Sequence, residues 1–272
     1  MPRKTYLFAL FLLLAGCYDT ELVFEDQYRI VVQSYLYVGV GESETILSSM
    51  ISFGNDSTGG DPISGAVITL TGDSEEWIYG EIDTVPGTYM LENAPEFVPG
   101  EPYTLHIETS DYLLEASTVI PESPPEVNMS ATSISIPRVA DMRDITWPDP
   151  IVLTWENPQG ESFFVQIENI ESNPSTIRPD PPDDFPHKGG GFVFQMVTRP
   201  TSGESYSITP MDLTHYGTHR IIFYRVNEEY ANLYQSLDQD SRELNEPFSN
   251  VKNGLGIFTA FNSDTLYFEV TM

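Results

Sequence analysis

Ala66-Val67-Ile68-Thr69-Leu70-Thr71 puts Ala66, Ile68 and Leu70 on one side of an extended chain and Val67, Thr69 and Thr71 on the other. A period of two means a strand with one face toward a core, and no helix fits it. The pattern returns where Tyr103, Leu105 and Ile107 oppose Thr104, His106 and Glu108. Runs rich in β-branched and aromatic residues at 28–38, 45–53, 86–92 and 113–120 predict further strands. Scattered between such runs are 21 prolines and 19 glycines, which break the chain into short pieces. Short strands set between turn residues predict an all-β protein. Apolar residues make up 40% of the chain, enough for packed cores rather than a disordered polymer.

Turn chemistry divides the chain. Residues 54–65 (GNDSTGGDPISG) predict a loop, and 121–127 (PESPPEV) a proline-rich joint. The joint predicts one β-sandwich over 28–120 and a second over 121–272. In the second, Val152, Leu153, Trp155 and Phe163-Phe164-Val165 predict early strands with a tryptophan in the core, and strands resume at 192–198 and 219–226. Residues 172–191 are a long irregular loop, of the kind that is functional or disordered when it occurs. One helix is expected at about 227–244. Asn227 can cap it, Glu228 and Glu229 suit its positive end, and Tyr230, Leu233, Tyr234 and Leu237 form one face. Residues 246–270 then supply a glycine-rich turn and a last strand or two.

The N-terminus carries a different message. Arg3 and Lys4 precede the apolar run Tyr6 to Leu14, then the small residues Ala15 and Gly16, then Cys17. This is the order of an export signal. The run is too short for a spanning helix, which takes roughly 20 residues. Leu14-Ala15-Gly16-Cys17 resembles the lipobox of bacterial lipoproteins. That resemblance implies removal of residues 1–16, acylation of Cys17 by diacylglycerol and fatty acid such as palmitate, and a tether over 17–27. The alternatives are an ordinary signal peptide with a chance cysteine, or a buried structural thiol. Cys17 is the only cysteine, so no internal disulfide supports the fold.

Loss of residues 1–16 removes two basic residues and no acid, taking the formal charge from −29 to −31. A polyanion repels nucleic-acid phosphate and anionic membrane surfaces, so nucleic acid is not an expected partner and any membrane attachment falls to the lipid.

Several stretches together resemble one family. Pro62 to Ile68, Gly87-Thr88-Tyr89 and Pro99 to Leu105 are similar to the small sandwiches of the carboxypeptidase-regulatory or transthyretin-like type, and the Trp155 region is similar to fibronectin type III. With the lipobox, with EYANLYQSLDQ, and with Pro247-Phe248-Ser249-Asn250 through Gly254-Leu255-Gly256-Ile257-Phe258, the chain resembles the domain of unknown function 4249 family over about 17–270. The resemblance implies an envelope lipoprotein of Bacteroidota that accompanies a TonB-dependent outer-membrane receptor. It carries over no catalytic residue. Asp19, Glu21, Glu25 and Asp26 after the cysteine partly match a surface-export signal, so the anchored protein is expected to face the cell surface, with a plain solvated tether and a periplasmic face as the alternative.

Residues able to carry chemistry are sparse. His215 and His219 stand four apart, a zinc-like spacing on a helix. Gly217 between them and the following strand argue against a helix, so surface-loop residues are expected there. His106 falls on a polar strand face, and His187 lies in the long loop. The GES tripeptides at Ser162 and Ser205 lack the second glycine of a nucleophile elbow. Asn55, Asp56 and Asp61, and Asp180, Asp183 and Asp184, are loop oxygens of a kind calcium uses, although neither set has an EF-hand spacing and ordinary acidic turns are the simpler expectation. Gly254 and Gly256 lack phosphate-binding spacing, and Gly189 to Gly191 form a hinge. The expectation is a non-enzymatic, cofactor-free binding or accessory protein, lipid-anchored in the outer membrane, with a TonB-dependent transporter as partner. A calcium-assisted hydrolase of glycans or peptides, and an adhesin or structural envelope protein, are the competing classes.

Overall fold

The computed structural model describes residues 30–50, 60–73, 75–138, 146–177, 195–237 and 248–272. The period-two stretches are strands. Strand β1 (Ile30–Tyr37) buries Ile30, Val32, Ser34 and Leu36, and β2 (Glu42–Ser49) buries Ser43, Thr45 and Leu47. β3 (Val67–Thr71) turns Ile68 and Leu70 inward, and β7 (Pro102–Glu108) does the same with Tyr103, Leu105 and Ile107. β4 (Glu76–Ile78), β5 (Gly80–Glu81), β6 (Thr88–Glu92) and β8 (Leu113–Val119) complete the N-terminal set. Each large apolar side chain so removed from water contributes about 1.5–3 kcal/mol of hydrophobic stabilisation before entropy is counted.

The second set is β9 (Asn128–Met129), β10 (Ser133–Ser135), β11 (Ile151–Thr154), β12 (Ser162–Asn169), β13 (Gln195–Val197), β14 (Ser205–Ile208) and β15 (Gly217–Val226). Helix α1 (Glu228–Leu237) follows, then β16 (Val251–Lys252) and the 17-residue β17 (Leu255–Thr271). The class is all-β, as expected, with one helix among the described residues. The expected helix beyond Leu237 falls on residues outside those described.

The strands make three sheets. A nine-stranded sheet runs β13-β12-β15-β17-β1-β2-β6-β5, with β10 also paired to β17. A five-stranded sheet, β16-β8-β7-β3-β4, covers its first half, and a three-stranded sheet, β14-β11-β9, covers its second. Each half is a two-sheet sandwich with its own core. One gathers Leu36, Leu47, Ile68, Tyr89, Leu105 and Phe258, the other Ile136, Leu153, Trp155, Phe163, Phe223 and Phe268.

The expected division at residue 121 is crossed by the C-terminal strands. Residues Leu255 to Phe261 of β17 pair in parallel with β1, and Phe261 to Val270 pair antiparallel with β15. β16 pairs with β8, so the first sandwich is completed by residues from the end of the chain. The physical reason is that the first core needs Val251, Phe258 and Ala260 to close its open side. One strand therefore joins both halves.

Candidate functional site

The ends of β8, β12 and β15 converge where the two sandwiches meet, and α1 begins there. The result is a cleft of about 670 Å³ with Val119, Glu122, Gln159, Glu161, Arg225 and Asn232 among its lining residues. Clefts between domains are common ligand sites, and this volume lies in the usual range of several hundred Å³.

Side-chain hydrogen bonds fix the walls. Arg225 donates to the Ser123 carbonyl at 3.2 Å and pairs with Glu161. Asn262 donates to the Pro121 carbonyl at 3.0 Å, which fastens the proline-rich joint to β17. The Asn227 amide donates to the Val119 carbonyl at 2.7 Å and to the Thr118 hydroxyl at 2.9 Å. Asn227 was expected to cap the helix with its side chain. Its backbone carbonyl does accept from Tyr230 and Ala231, while the side chain ties the helix start to β8 instead. Glu229 accepts from Thr118 at 2.6 Å and from Thr259 at 3.4 Å, so one carboxylate in the first helical turn touches strands of two sheets.

The face of α1 expected to be apolar packs on aromatics. Tyr230 stands 4.8 Å from Phe261 and 5.7 Å from Phe164, and Tyr35, Tyr37 and Tyr224 extend the cluster. Burial, followed by the nearby Tyr224, Tyr35 and Glu44, pushes the Tyr37 phenol up to about 12. Burial also raises Tyr35, Tyr224 and Tyr230. These phenols are neutral at physiological pH and serve packing rather than proton transfer.

The helix carries a second stripe that the apolar pattern concealed. Glu228, Asn232 and Gln235, at i, i+4 and i+7, line the cleft beside the buried Ala231. The signal was available as three polar residues at helical spacing, and it was missed because the search followed hydrophobic periodicity.

The other residues singled out from sequence do not assemble. Cys17, Asn55, Asp56, Asp180, Asp183, Asp184, His187 and Gly189 to Gly191 lie outside the described residues, as does most of the 172–191 loop. Asp61 is described, and its backbone is paired with Ser49. His106 is exposed, as expected, with Nδ1 3.8 Å from Glu115 across the sheet. Ser162 opens β12 and Ser205 opens β14.

His219 corrects the expectation of a surface loop. It is buried in β15, stacked on Phe268 with centroids 5.0 Å apart. Nδ1 lies 3.0 Å from the Gly217 carbonyl and Nε2 lies 3.4 Å from the Asn169 amide. The ring is thus neutral, with Nδ1–H donating and Nε2 accepting. His215 lies half-buried outside the strand, 2.7 Å from the Thr214 hydroxyl. Among the described residues, no three His, Cys, Asp or Glu side chains converge as a metal site.

Gly254 and Gly256 have a packing role. A Cβ on Gly254 would stand 2.3 Å from a Leu114 methyl, and one on Gly256 would overlap the Val32 backbone. Asn250 anchors the same turn by bonding both the N–H and the C=O of Phe258, at 3.0 and 2.7 Å.

Among the described residues, no helix is long and apolar enough to cross a membrane. A family model described as "Domain of unknown function (DUF4249)" matches residues 18–266. Two solved structures are similar at low identity. One is described as chicken CNTN1 FN1-FN3 domains, with 11% identity and a TM-score of 0.20, covering 90% of this chain and 66% of that chain. The other is described as Dscam1 isoform 1.9, N-terminal four Ig domains, with 9% identity and a TM-score of 0.18, covering 87% of this chain and 42% of that chain. The chain thus spans just under two thirds of the first and less than half of the second. No curated protein matches it.

Proposed function

The chain belongs to the family described as domain of unknown function 4249, and from that premise we propose that it is a non-enzymatic binding protein anchored by lipid in the outer membrane, working beside a TonB-dependent transporter. The observation that carries the reading is Cys17, a sole thiol placed directly behind Ala15 and Gly16 and the short apolar run. A thiol there is the nucleophile that acylation requires, and two or more acyl chains anchor stably where one holds only marginally.

The geometry supports a binding role at that location. Twelve residues, 18 to 29, separate Cys17 from β1. A segment of that length reaches at most about 40 Å, so the sandwiches stay close to the membrane. Confinement to a surface raises the effective concentration toward membrane partners. Because β17 belongs to both sandwiches, the junction cleft is presented on a firm frame, with little ordering left to occur on binding. The acidic exterior favours a basic or neutral partner surface.

Labelling cells with an alkyne analogue of palmitate tests the anchor. The protein is expected to take up the label and to sediment with outer-membrane vesicles, and Cys17→Ala is expected to abolish both. A Cys17→Ala protein that still sediments would sink the anchoring claim. Mild crosslinking followed by affinity capture tests the partner, with a transporter recovered in fixed ratio as the expected result. Capture without any envelope protein rejects the transporter.

A further inference from the structure

We propose that the junction cleft binds a neutral, hydroxyl-rich ligand of the glycan class. The proposal deepens the binding role proposed above and rests on it for the protein's general task.

The first argument is the unused hydrogen-bonding capacity of the walls. The carboxamides of Gln159, Asn232 and Gln235 all face the cleft, and none has a hydrogen-bond partner among the described residues. Each offers donors and an acceptor on one rigid group. Hydroxyls have the same dual character, because a rotating O–H gives or receives according to its neighbour. Glu122 and Glu228 in the same lining add acceptors that suit adjacent hydroxyl pairs. Between these groups Val119, 48% exposed, and Ala231 give an aliphatic floor for the C–H faces of a sugar ring.

Charge narrows the ligand further. Among the described residues Arg225 is the only cation lining the cleft, and it is engaged by Glu161 and by the Ser123 carbonyl. Among those residues an anionic ligand would meet carboxylates and no free positive charge. Strand pairing argues against an extended peptide. Peptides commonly dock by adding a strand to an open edge. Here β12 lies between β13 and β15 and β15 between β12 and β17, and although β16 reaches only Glu115 and Ala116 of β8, the Ser117 and Val119 carbonyls beyond it are taken by the Asn250 and Asn227 amides. The cleft offers side chains, not an open ladder.

The walls are also preorganised. Asn227, Asn262 and Glu229 fasten β8, the proline-rich joint, β17 and α1 to one another. A site held in this way loses little freedom on binding.

The test uses the full-length mature protein in detergent. It is titrated calorimetrically with neutral linear oligosaccharides of four to seven hexoses or pentoses, with uronic-acid oligosaccharides of the same length, and with a lysine-rich peptide. At least one neutral oligosaccharide is expected to bind. The Asn232→Ala/Gln235→Ala double variant is expected to weaken that binding at least tenfold with an unchanged thermal midpoint, since neither side chain has a hydrogen-bond partner among the described residues and alanine suits a helix. Binding of only the uronic-acid oligosaccharides or the peptide, binding untouched by the double variant, or no neutral ligand across the panel overturns the proposal. The acyl label on Cys17 is read separately, so loss of the anchoring claim and loss of the glycan claim are distinguishable.

Discussion

Gly256 lies so close to Val32 that a Cβ on it would stand 1.9 Å from the Val32 carbonyl oxygen. The two residues are register partners in the parallel pairing of β1 with β17, the contact through which the end of the chain completes the first sandwich. Gly256 also has φ +109°, a conformation side chains rarely adopt.

Gly256→Ala is therefore expected to be strongly destabilising. Backbone strain of about 1–3 kcal/mol adds to an overlap costing about 1–3 kcal/mol, so the urea midpoint should fall by an equivalent of about 3 kcal/mol or more. Gly39→Ala is the control. Gly39 also has positive φ, but a Cβ there meets nothing within 4 Å, and strain alone costs about 1–2 kcal/mol. Equal midpoints for the two variants would remove the close-approach account.

Asn250 should be the most sensitive polar residue of the turn that leads into β17. Its amide meets the Phe258 N–H and C=O, standing in for a missing neighbouring strand. Asn250→Ala leaves both backbone groups unpaired and is expected to cost about 2–3 kcal/mol. Asn250→Asp keeps the acceptor for the N–H but sets a carboxylate against the Phe258 carbonyl, so it should be no better. Thermal unfolding monitored by near-ultraviolet circular dichroism reads both. An Asn250→Asp protein as stable as wild type would show that the two bonds do not form in solution.

The strands were legible because burial repeats locally. Ile68 with Leu70, and Tyr103 with Leu105 and Ile107, announce one buried face each, and those faces are buried. The course of β17 was not legible. The last segment was expected to hold a glycine-rich turn and a last strand or two; it is one continuous strand from Leu255 to Thr271, in which Asn262, Ser263, Asp264 and Thr265 all pair with β15. Hydrophobic period reports a residue's local face; it carries no information about pairing between residues 31–37 and 255–261, more than two hundred positions apart. That pairing alone decides that the first sandwich closes with the end of the chain. His219 was missed differently, since Ile221 and Phe223 continue its side of β15 and mark that side as inward. The cleft was not foreseeable from any one stretch, because its lining comes from four separated segments.

Acid should weaken the fold partly through His219. Burial, the largest effect, lowers its pKa from the ordinary 6.5, and His215 pushes the same way. The Gly217 carbonyl, Glu269 and Glu171 oppose the shift without reversing it. With the folded pKa below the unfolded one, the unfolded chain binds the extra proton first. The contribution is complete above about 6.5 and is lost as pH falls through the folded pKa. Urea midpoints at pH 7.5 and 5 should fall for wild type by more than for His219→Phe, which keeps the stack on Phe268 and removes the titration. A steeper fall in the variant would reverse the assignment of His219 as buried and neutral.

Trp155 separates packing from hydrogen bonding in the second core. Its ring lies 4.7 Å from Phe223 and 5.9 Å from Phe163, while its indole nitrogen is buried without a hydrogen-bond partner among the described residues. An unmade bond of this kind costs about 1–3 kcal/mol, which Trp155→Phe would relieve. Phenylalanine is smaller, so the same change opens a void that works in the opposite direction. The two effects should cancel to within about 1 kcal/mol, whereas Trp155→Ala removes the ring contacts outright and should cost about 3–5 kcal/mol. Equilibrium urea unfolding of the two variants measures the difference. If Trp155→Phe proves as damaging as Trp155→Ala, the indole N–H has an acceptor in solution, and the core is held there by a bond rather than by aromatic packing alone.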